Sequence, residues 1–243
     1  MANILKVENL SKFYSKKQVV KNLSFSMEGG EIVGLLGPNG AGKTTSFYMI
    51  VGYIKASSGQ IFLNNENITK LPMYQRSRLG LSYLPQEPSI FRKLSIRDNI
   101  RLVVETRDNL DEKEKKELVD SLIEKFGLEK IQLQKGFTLS GGERRRCEIA
   151  RCLASSPSFL LLDEPFAGID PKAIYEIKQI VYSLAKDGIG ILITDHNVRD
   201  TLSITTKSHI ISEGTIIVSG TRTDLLKNQM AKDIYFGDAF EDE

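Results

Sequence analysis

Cysteine occurs only twice in the 243 residues. Cys147 and Cys152 lie five positions apart on a stretch that reads as one helix. That spacing suits neither a disulfide nor a C-x-x-C metal pair, so both are expected as reduced thiols. An excess of charge of either sign is also missing: 33 Lys and Arg against 31 Asp and Glu leave a net charge of +2. The balance offers no bulk attraction for nucleic acid and no basic stripe, and no nucleic-acid partner is expected. No run approaches the roughly 18 uninterrupted apolar residues of a membrane span. Met1-Ala2-Asn3-Ile4-Leu5-Lys6 lacks the charged-then-apolar order of a signal peptide. These absences predict a cytosolic protein that meets a membrane only through a partner. Without a secretion signal, the glycosylation pattern at Asn22-Leu23-Ser24 and Asn67-Ile68-Thr69 carries no weight. Repeats and low-complexity stretches are absent too. What remains is 41% hydrophobic and 26% charged, the composition of a soluble globular protein with one substantial core and room for a subdomain.

What is present is organised around Gly37-Pro38-Asn39-Gly40-Ala41-Gly42-Lys43-Thr44, which fits G-x-x-x-x-G-K-[ST], a loop that cradles phosphates. Glu31–Leu36 before it reads as a buried strand and Thr45–Val51 after it as a helix, the context the motif needs. Glycines 37, 40 and 42 permit backbone angles closed to other residues and let the backbone approach an anion. Amides of the loop and first helical turn then face that anion, with the helix dipole behind them. Lys43 can reach the β- and γ-phosphates of a nucleotide, and the Thr44 hydroxyl can ligate Mg²⁺.

Residues 4–8 and 18–27 read as strands, the second by its apolar–polar alternation, and the short turn Glu28-Gly29-Gly30 predicts an antiparallel layer beside the main sheet. Tyr14 between them is either a half-buried loop aromatic or a ring stacked on a nucleotide base. Gln60–Leu63 and Gly80–Leu84 are further short strands, the latter ending at Pro85-Gln86. From 90 to 135 the chain is charged, poor in glycine and helical in pattern, and reads as an insertion into an α/β core. Within it, 111–119 mixes signs on a solvated face, with Leu118, Leu122, Ile123 and Phe126 as the apolar stripe. Leu139-Ser140-Gly141-Gly142-Glu143 opens another helix, with Ser140 and Glu143 at capping-box spacing and Arg144, Arg145, Arg146 and Arg151 as a basic face. Two glycines in a first turn cost about 1 kcal/mol each against alanine, which predicts that something approaches the backbone there. Bare amides at that N-terminus would make a second anion site.

Phe159-Leu160-Leu161-Leu162-Asp163-Glu164 and Ile189–Asp195 are continuously apolar, the mark of parallel strands covered on both faces. Ligands bind beyond the carboxyl ends of such strands, so Asp163, Glu164 and His196 are expected near the glycine loop. A helix at about 197–204, strands at 208–212 and 215–219, and a short helix from Thr223 follow. The acidic end Asp238–Glu243 is expected to be mobile.

Taken in order, Gly37–Thr44, Gln86, Leu139–Glu143, Leu162-Asp163-Glu164-Pro165, Gly168-Ile169-Asp170 and His196 resemble the ATPase subunits of ABC transporters, over Tyr14 to about Gly220. The resemblance implies an α/β fold: a P-loop NTPase (RecA-like) core with a mainly parallel sheet, an N-terminal antiparallel β layer and an inserted helical subdomain. Residues 1–89 and 156–222 would form the nucleotide-binding core, 90–155 the helical part, and 223–243 a C-terminal helix and acidic tail. It also implies roles. Tyr14 would stack on adenine. Gly37, Pro38, Asn39, Gly40, Ala41, Gly42, Lys43, Thr44 and Thr45 would cradle the phosphates of ATP. Thr44, Gln86 and Asp163 would serve Mg²⁺, Glu164 would polarise the attacking water and His196 would contact the γ-phosphate. Two copies would face head to tail, Ser140, Gly141 and Gly142 of one closing over ATP held by the other. A narrower likeness lies in Thr45–Met49, Tyr83–Glu87, Ser89-Ile90-Phe91-Arg92, Ser140–Arg146, Pro165–Gly168 and Thr194–Arg199. These strings resemble the ATPases of bacterial lipopolysaccharide export, with Ser46, Cys147 and Lys93 as departures. Branched-chain amino-acid import is the alternative, and a non-transport ABC protein a further one. Phe91 and Arg92 either line a groove for a membrane permease or, in the case of Phe91, belong to the helical core.

Overall fold

The computed structural model describes residues 3–236; the acidic stretch Asp238–Glu243 lies outside them. The strands are β1 (Ile4–Tyr14), β2 (Lys17–Glu28), β3 (Ile32–Leu36), β4 (Ser58–Leu63), β5 (Glu66–Asn67), β6 (Leu81–Leu84), β7 (Phe159–Asp163), β8 (Gly190–Thr194), β9 (Lys207–Ser212) and β10 (Thr215–Gly220). The α-helices are α1 (Lys43–Val51), α2 (Met73–Arg78), α3 (Ile96–Val104), α4 (Glu112–Lys125), α5 (Gly141–Leu153), α6 (Pro171–Lys186), α7 (Val198–Ile204), α8 (Arg222–Lys227) and α9 (Gln229–Ala231), followed by a π-turn over Lys232–Phe236.

Two sheets result. One is four-stranded and antiparallel, in the order β2-β1-β4-β5; the other is six-stranded, in the order β10-β9-β3-β8-β7-β6. In the second, β9, β3, β8, β7 and β6 run parallel, and only β10 pairs antiparallel, through a hairpin at Glu213 and Gly214 with positive φ at both. Every residue of β3, β7 and β8 is buried. Side chains alternate across this sheet: Leu160 and Leu162 of β7 join α3–α6 on one face, while Phe159 and Leu161 face the antiparallel sheet and α1 on the other. A parallel sheet covered on both faces explains why these strands are apolar throughout.

β1 runs to Tyr14 rather than stopping at residue 8 as the sequence predicts. Asn9 and Asn22 have positive φ and the register shifts beside them, so bulges break the sequence pattern while pairing continues. On α4 the buried positions are Val119, Leu122 and Ile123, with Leu118 only partly covered, one position away from the predicted stripe. The two thiols are free, as expected, and burial pushes Cys147 up to about 12 and Cys152 up to about 11.

Candidate nucleotide site

Strand order decides what meets at the carboxyl edge of the parallel sheet. β3 delivers Gly37–Thr44, β8 delivers Asp195-His196, β7 delivers Asp163-Glu164, and β6 delivers Pro85-Gln86. Residues far apart in sequence thus converge on one cavity of about 170 Å³, lined by Asn39, Gly40, Gly42, Lys43, Thr44 and Thr45 together with Val19, Glu164 and His196.

The loop has its shape for two separate reasons. A Cβ on Gly37 would lie 2.1 Å from the Ile211 carbonyl oxygen, so its own neighbours exclude a side chain. Gly40 has open space around it, and its φ of +77° alone selects glycine. Pro38 and Ala41 close the turn between them, the Ala41 amide donating to the Pro38 carbonyl at 3.2 Å. Helix α1 then starts behind Gly42 with no side-chain cap and no acidic residue in its first turn. The Lys43 ammonium is buried and folded back, donating to the carbonyls of Gly37 (2.7 Å) and Pro38 (3.0 Å). Burial lowers its pKa, against the opposing pull of Glu164 and Asp163. An ammonium held on loop carbonyls at an uncapped helix start is arranged to receive phosphate.

Glu164 sits in the left-handed region at φ +47° and is held there from three sides. Its amide donates to the Thr194 carbonyl at 2.8 Å, and its own carbonyl accepts from Arg145 Nη2 at 3.1 Å. Its carboxylate accepts from Gln86 Nε2 at 2.7 Å, while His196 Nε2 lies 2.6 Å from the other oxygen. A non-glycine residue kept in strained backbone by its surroundings is common at reactive positions. The structure therefore brings together Glu164, Gln86 and His196, with Gln86 turned to the carboxylate.

Asp163 is 1% exposed, and burial, reinforced by Glu164, raises its carboxyl to about 6. One oxygen accepts from the Tyr83 hydroxyl at 3.1 Å; the other is buried with no partner. An orphaned, buried carboxylate oxygen is a hard-oxygen donor that fits a hydrated divalent cation.

Two sequence expectations need correction. Arg145 does not belong to a solvated basic face: it is 6% exposed. Its guanidinium donates to the carbonyls of Pro85, Asp163, Glu164 and Pro165 and pairs with buried Glu148 at 3.3 Å. Glu148 in turn accepts the amides of Ser89 and Ile90. The missed signal is helical phase, since Arg145, Ile149 and Cys152 fall on one face of α5. Nor is the start of α5 bare. Ser140 and Glu143 close a reciprocal capping box, and a Cβ on Gly142 would lie 2.7 Å from the Ala173 Cβ of α6. Packing between α5 and α6 is thus sufficient reason for Gly142. Ser140, Gly141 and Gly142 are not among the residues lining the loop cavity of their own chain.

Tyr14 is 48% exposed at the end of β1, with the Lys12 ammonium 5.2 Å from its ring centre. Phe91 is 47% exposed and lies under the Arg151 guanidinium at 4.9 Å, so it is not core of the helical insertion; Arg92 beside it is exposed.

A strand–glycine loop–helix unit with carboxylates at the ends of neighbouring parallel strands defines a P-loop nucleoside triphosphatase. Residues 20–167 match the family model described as ABC transporter. The chain belongs to the ABC transporter family, as its nucleotide-binding ATPase. It is 48% identical over 236 residues to the lipopolysaccharide export system ATP-binding protein LptB of Escherichia coli K12, covering 97% of this chain and 98% of that one. The protein of the same description from Haemophilus influenzae is 48% identical over 239 residues, covering 98% and 99%. Among solved structures, the ADP conformation of the ABC cassette MJ1267 superposes with a TM-score of 0.86 at 26% identity, covering 97% of this chain and 99% of that one.

Proposed function

We propose that this chain is the ATP-hydrolysing subunit of a lipopolysaccharide exporter, acting as a head-to-tail pair on a separate membrane permease. The near full-length identity to LptB carries the cargo assignment. Its place is the cytoplasmic face of the inner membrane, held there by the permease; no helix among the described residues is long and apolar enough to cross a membrane. Residues 1–89 and 156–222 act as the nucleotide core, 90–155 as the helical part and 223–243 as the C-terminal extension.

The loop from Gly37 to Thr45 binds the phosphates and Tyr14 stacks on the adenine. Mg²⁺ neutralises phosphate charge when bound, and Thr44, Gln86 and Asp163 are the residues that would hold it. Glu164 is the group placed to orient the attacking water and take its proton, with His196 turned toward the terminal phosphate. Ser140, Gly141 and Gly142 stand apart from the cavity of their own chain, which supports their use by a second copy. The permease contact runs through exposed Phe91 and Arg92, Phe91 being stacked on Arg151, and through the groove of about 500 Å³ whose lining includes Pro85, Ser89 and Arg151. The decisive experiment reconstitutes the chain with its co-purifying membrane proteins in lipopolysaccharide-loaded proteoliposomes. ATP should drive release of lipopolysaccharide to an acceptor, and Glu164→Gln should cut hydrolysis by roughly 10²-fold or more while trapping an ATP-bound dimer. ATP-dependent uptake of branched-chain amino acids in place of lipopolysaccharide release would overturn the assignment.

A further inference from the structure

The same groove of about 500 Å³ has Tyr53, Tyr48 and Tyr83 among its lining residues. The three rings pack edge on: Tyr48 and Tyr53 have centroids 5.0 Å apart at 61°, Tyr48 and Tyr83 6.3 Å apart at 86°. Tyr53 is 68% exposed at the mouth, and Tyr48 and Tyr83 are partly buried behind it. The Tyr83 hydroxyl donates to Asp163 Oδ2 at 3.1 Å.

This arrangement acts on a single torsion. A carboxylate at the end of a strand can rotate, and a cation ligand must present one chosen oxygen. The Tyr83 bond occupies Oδ2, while Oδ1 is left buried and unpartnered. β6 is otherwise built from Leu81, Ser82 and Leu84, all buried, and a phenylalanine ring at position 83 would fill the same space. The hydroxyl is the part that packing does not require. Partners of metal-ligating carboxylates fix their orientation in this way, and losing one typically costs 10- to 100-fold in metal affinity.

We propose that Tyr83 is a positioning residue for the divalent cation of this ATPase: by holding Asp163 Oδ2 it turns Oδ1 to the ion, and the Tyr48 ring, packed edge-on at 6.3 Å, keeps the Tyr83 ring in place. The proposal rests on the reading of Asp163 as a cation ligand. The Tyr83 side chain thus separates the groove from the oxygen that faces the ion.

The test uses the full chain with ATP and titrates Mn²⁺, followed by electron paramagnetic resonance. Tyr83→Phe keeps the ring and should weaken Mn²⁺ binding about tenfold. Its affinity for ATP in EDTA should stay unchanged. Tyr48→Leu, which removes the edge-on ring, should shift Mn²⁺ affinity in the same direction by a few-fold. Unchanged Mn²⁺ affinity in Tyr83→Phe overturns the proposal, as does an equal loss of metal-free ATP binding, which would mark general damage to the site. Should Tyr83→Phe fail to fold, Tyr48→Leu decides, and unchanged Mn²⁺ affinity there overturns the proposal. Asp163→Asn separates the two levels: if it leaves Mn²⁺ binding intact, the ligand assignment itself is wrong.

Discussion

Helices α1 and α5 both have glycine at their start, Gly42 just before α1 and Gly141 and Gly142 in the first turn of α5, yet their N-termini have opposite chemistry. At α1 no side chain caps the helix, no acidic residue follows, and the nearest cation rests on loop carbonyls. At α5 Ser140 accepts the Glu143 amide, and the Glu143 carboxylate accepts from the Ser140 amide and hydroxyl, which hold it below the usual carboxylate range. Glycine in the first place leaves amides available to an anion; in the second it admits a neighbouring helix, since the space beside Gly142 is filled by Ala173. The α1 end is incomplete without a ligand, and Asp163 and Glu164 stand close enough to act on the charge of Lys43. The α5 end is complete in the monomer, and whatever it does for ATP it does as a finished surface.

The sharpest way to break this contrast is a pair of substitutions across the α5–α6 contact. Gly142→Ala should lower Tm, because overpacking of this kind costs roughly 1–3 kcal/mol. Adding Ala173→Gly should restore Tm, read by calorimetry. ATPase activity is expected to stay about tenfold or more below wild type in the double variant, because the amide face used by the second copy remains altered. Full recovery of hydrolysis together with Tm would make Gly142 a packing residue only, and the two helix starts would share no ligand.

A smaller effect, of opposite sign to a normal core polar loss, is expected at the α1 end. The folded chain raises Asp163 from 3.8 to about 6, so it binds that proton more tightly than the unfolded chain does. Stability from this group therefore falls as pH rises from about 4 to about 6, and the penalty is fully present above that window. Asp163→Asn should make the ligand-free protein more stable at pH 8 by up to about 3 kcal/mol, with no gain at pH 4, while removing a cation ligand. Denaturant unfolding at the two pH values measures it; equal effects at both would show that burial of this charge is not the cost. The smallest change is at the cap of α5. Ser140→Ala should destabilise by about 1 kcal/mol in urea melts. A loss no larger than that of an exposed surface substitution would mean the box contributes nothing and α5 resembles α1 after all.

Much of the nucleotide site was legible in sequence because its parts are local. The glycine loop announces itself by spacing, and the unbroken apolar runs of β7 and β8 announce a covered parallel sheet whose ends carry Asp163, Glu164 and His196. Arg145 was illegible for a different reason. Four adjacent or nearby arginines look alike as a string, and only helical phase against a packed neighbour separates Arg145, which is 6% exposed, from Arg144, Arg146 and Arg151, which are partly exposed. The long β1 strand was likewise hidden, because bulges at Asn9 of β1 and at Asn22 of its partner β2 interrupt the regular pairing that a sequence reading assumes.

By itself, then, the sequence determined the phosphate loop, the strands that carry the carboxylates and the capping box of α5 through short local patterns, and membership of the ABC family through the order of its motifs along the chain. Tertiary structure alone decided which partner each functional group has. Gln86 meets Glu164 across 78 residues of sequence, Tyr83 meets Asp163 across 80, and Arg145 gathers carbonyls from both segments. The order β9-β3-β8-β7-β6 sets those neighbours, and no residue period encodes it. It arises from how two covered faces, an antiparallel layer with α1 on one side and helices α3–α7 on the other, bury their apolar side chains together.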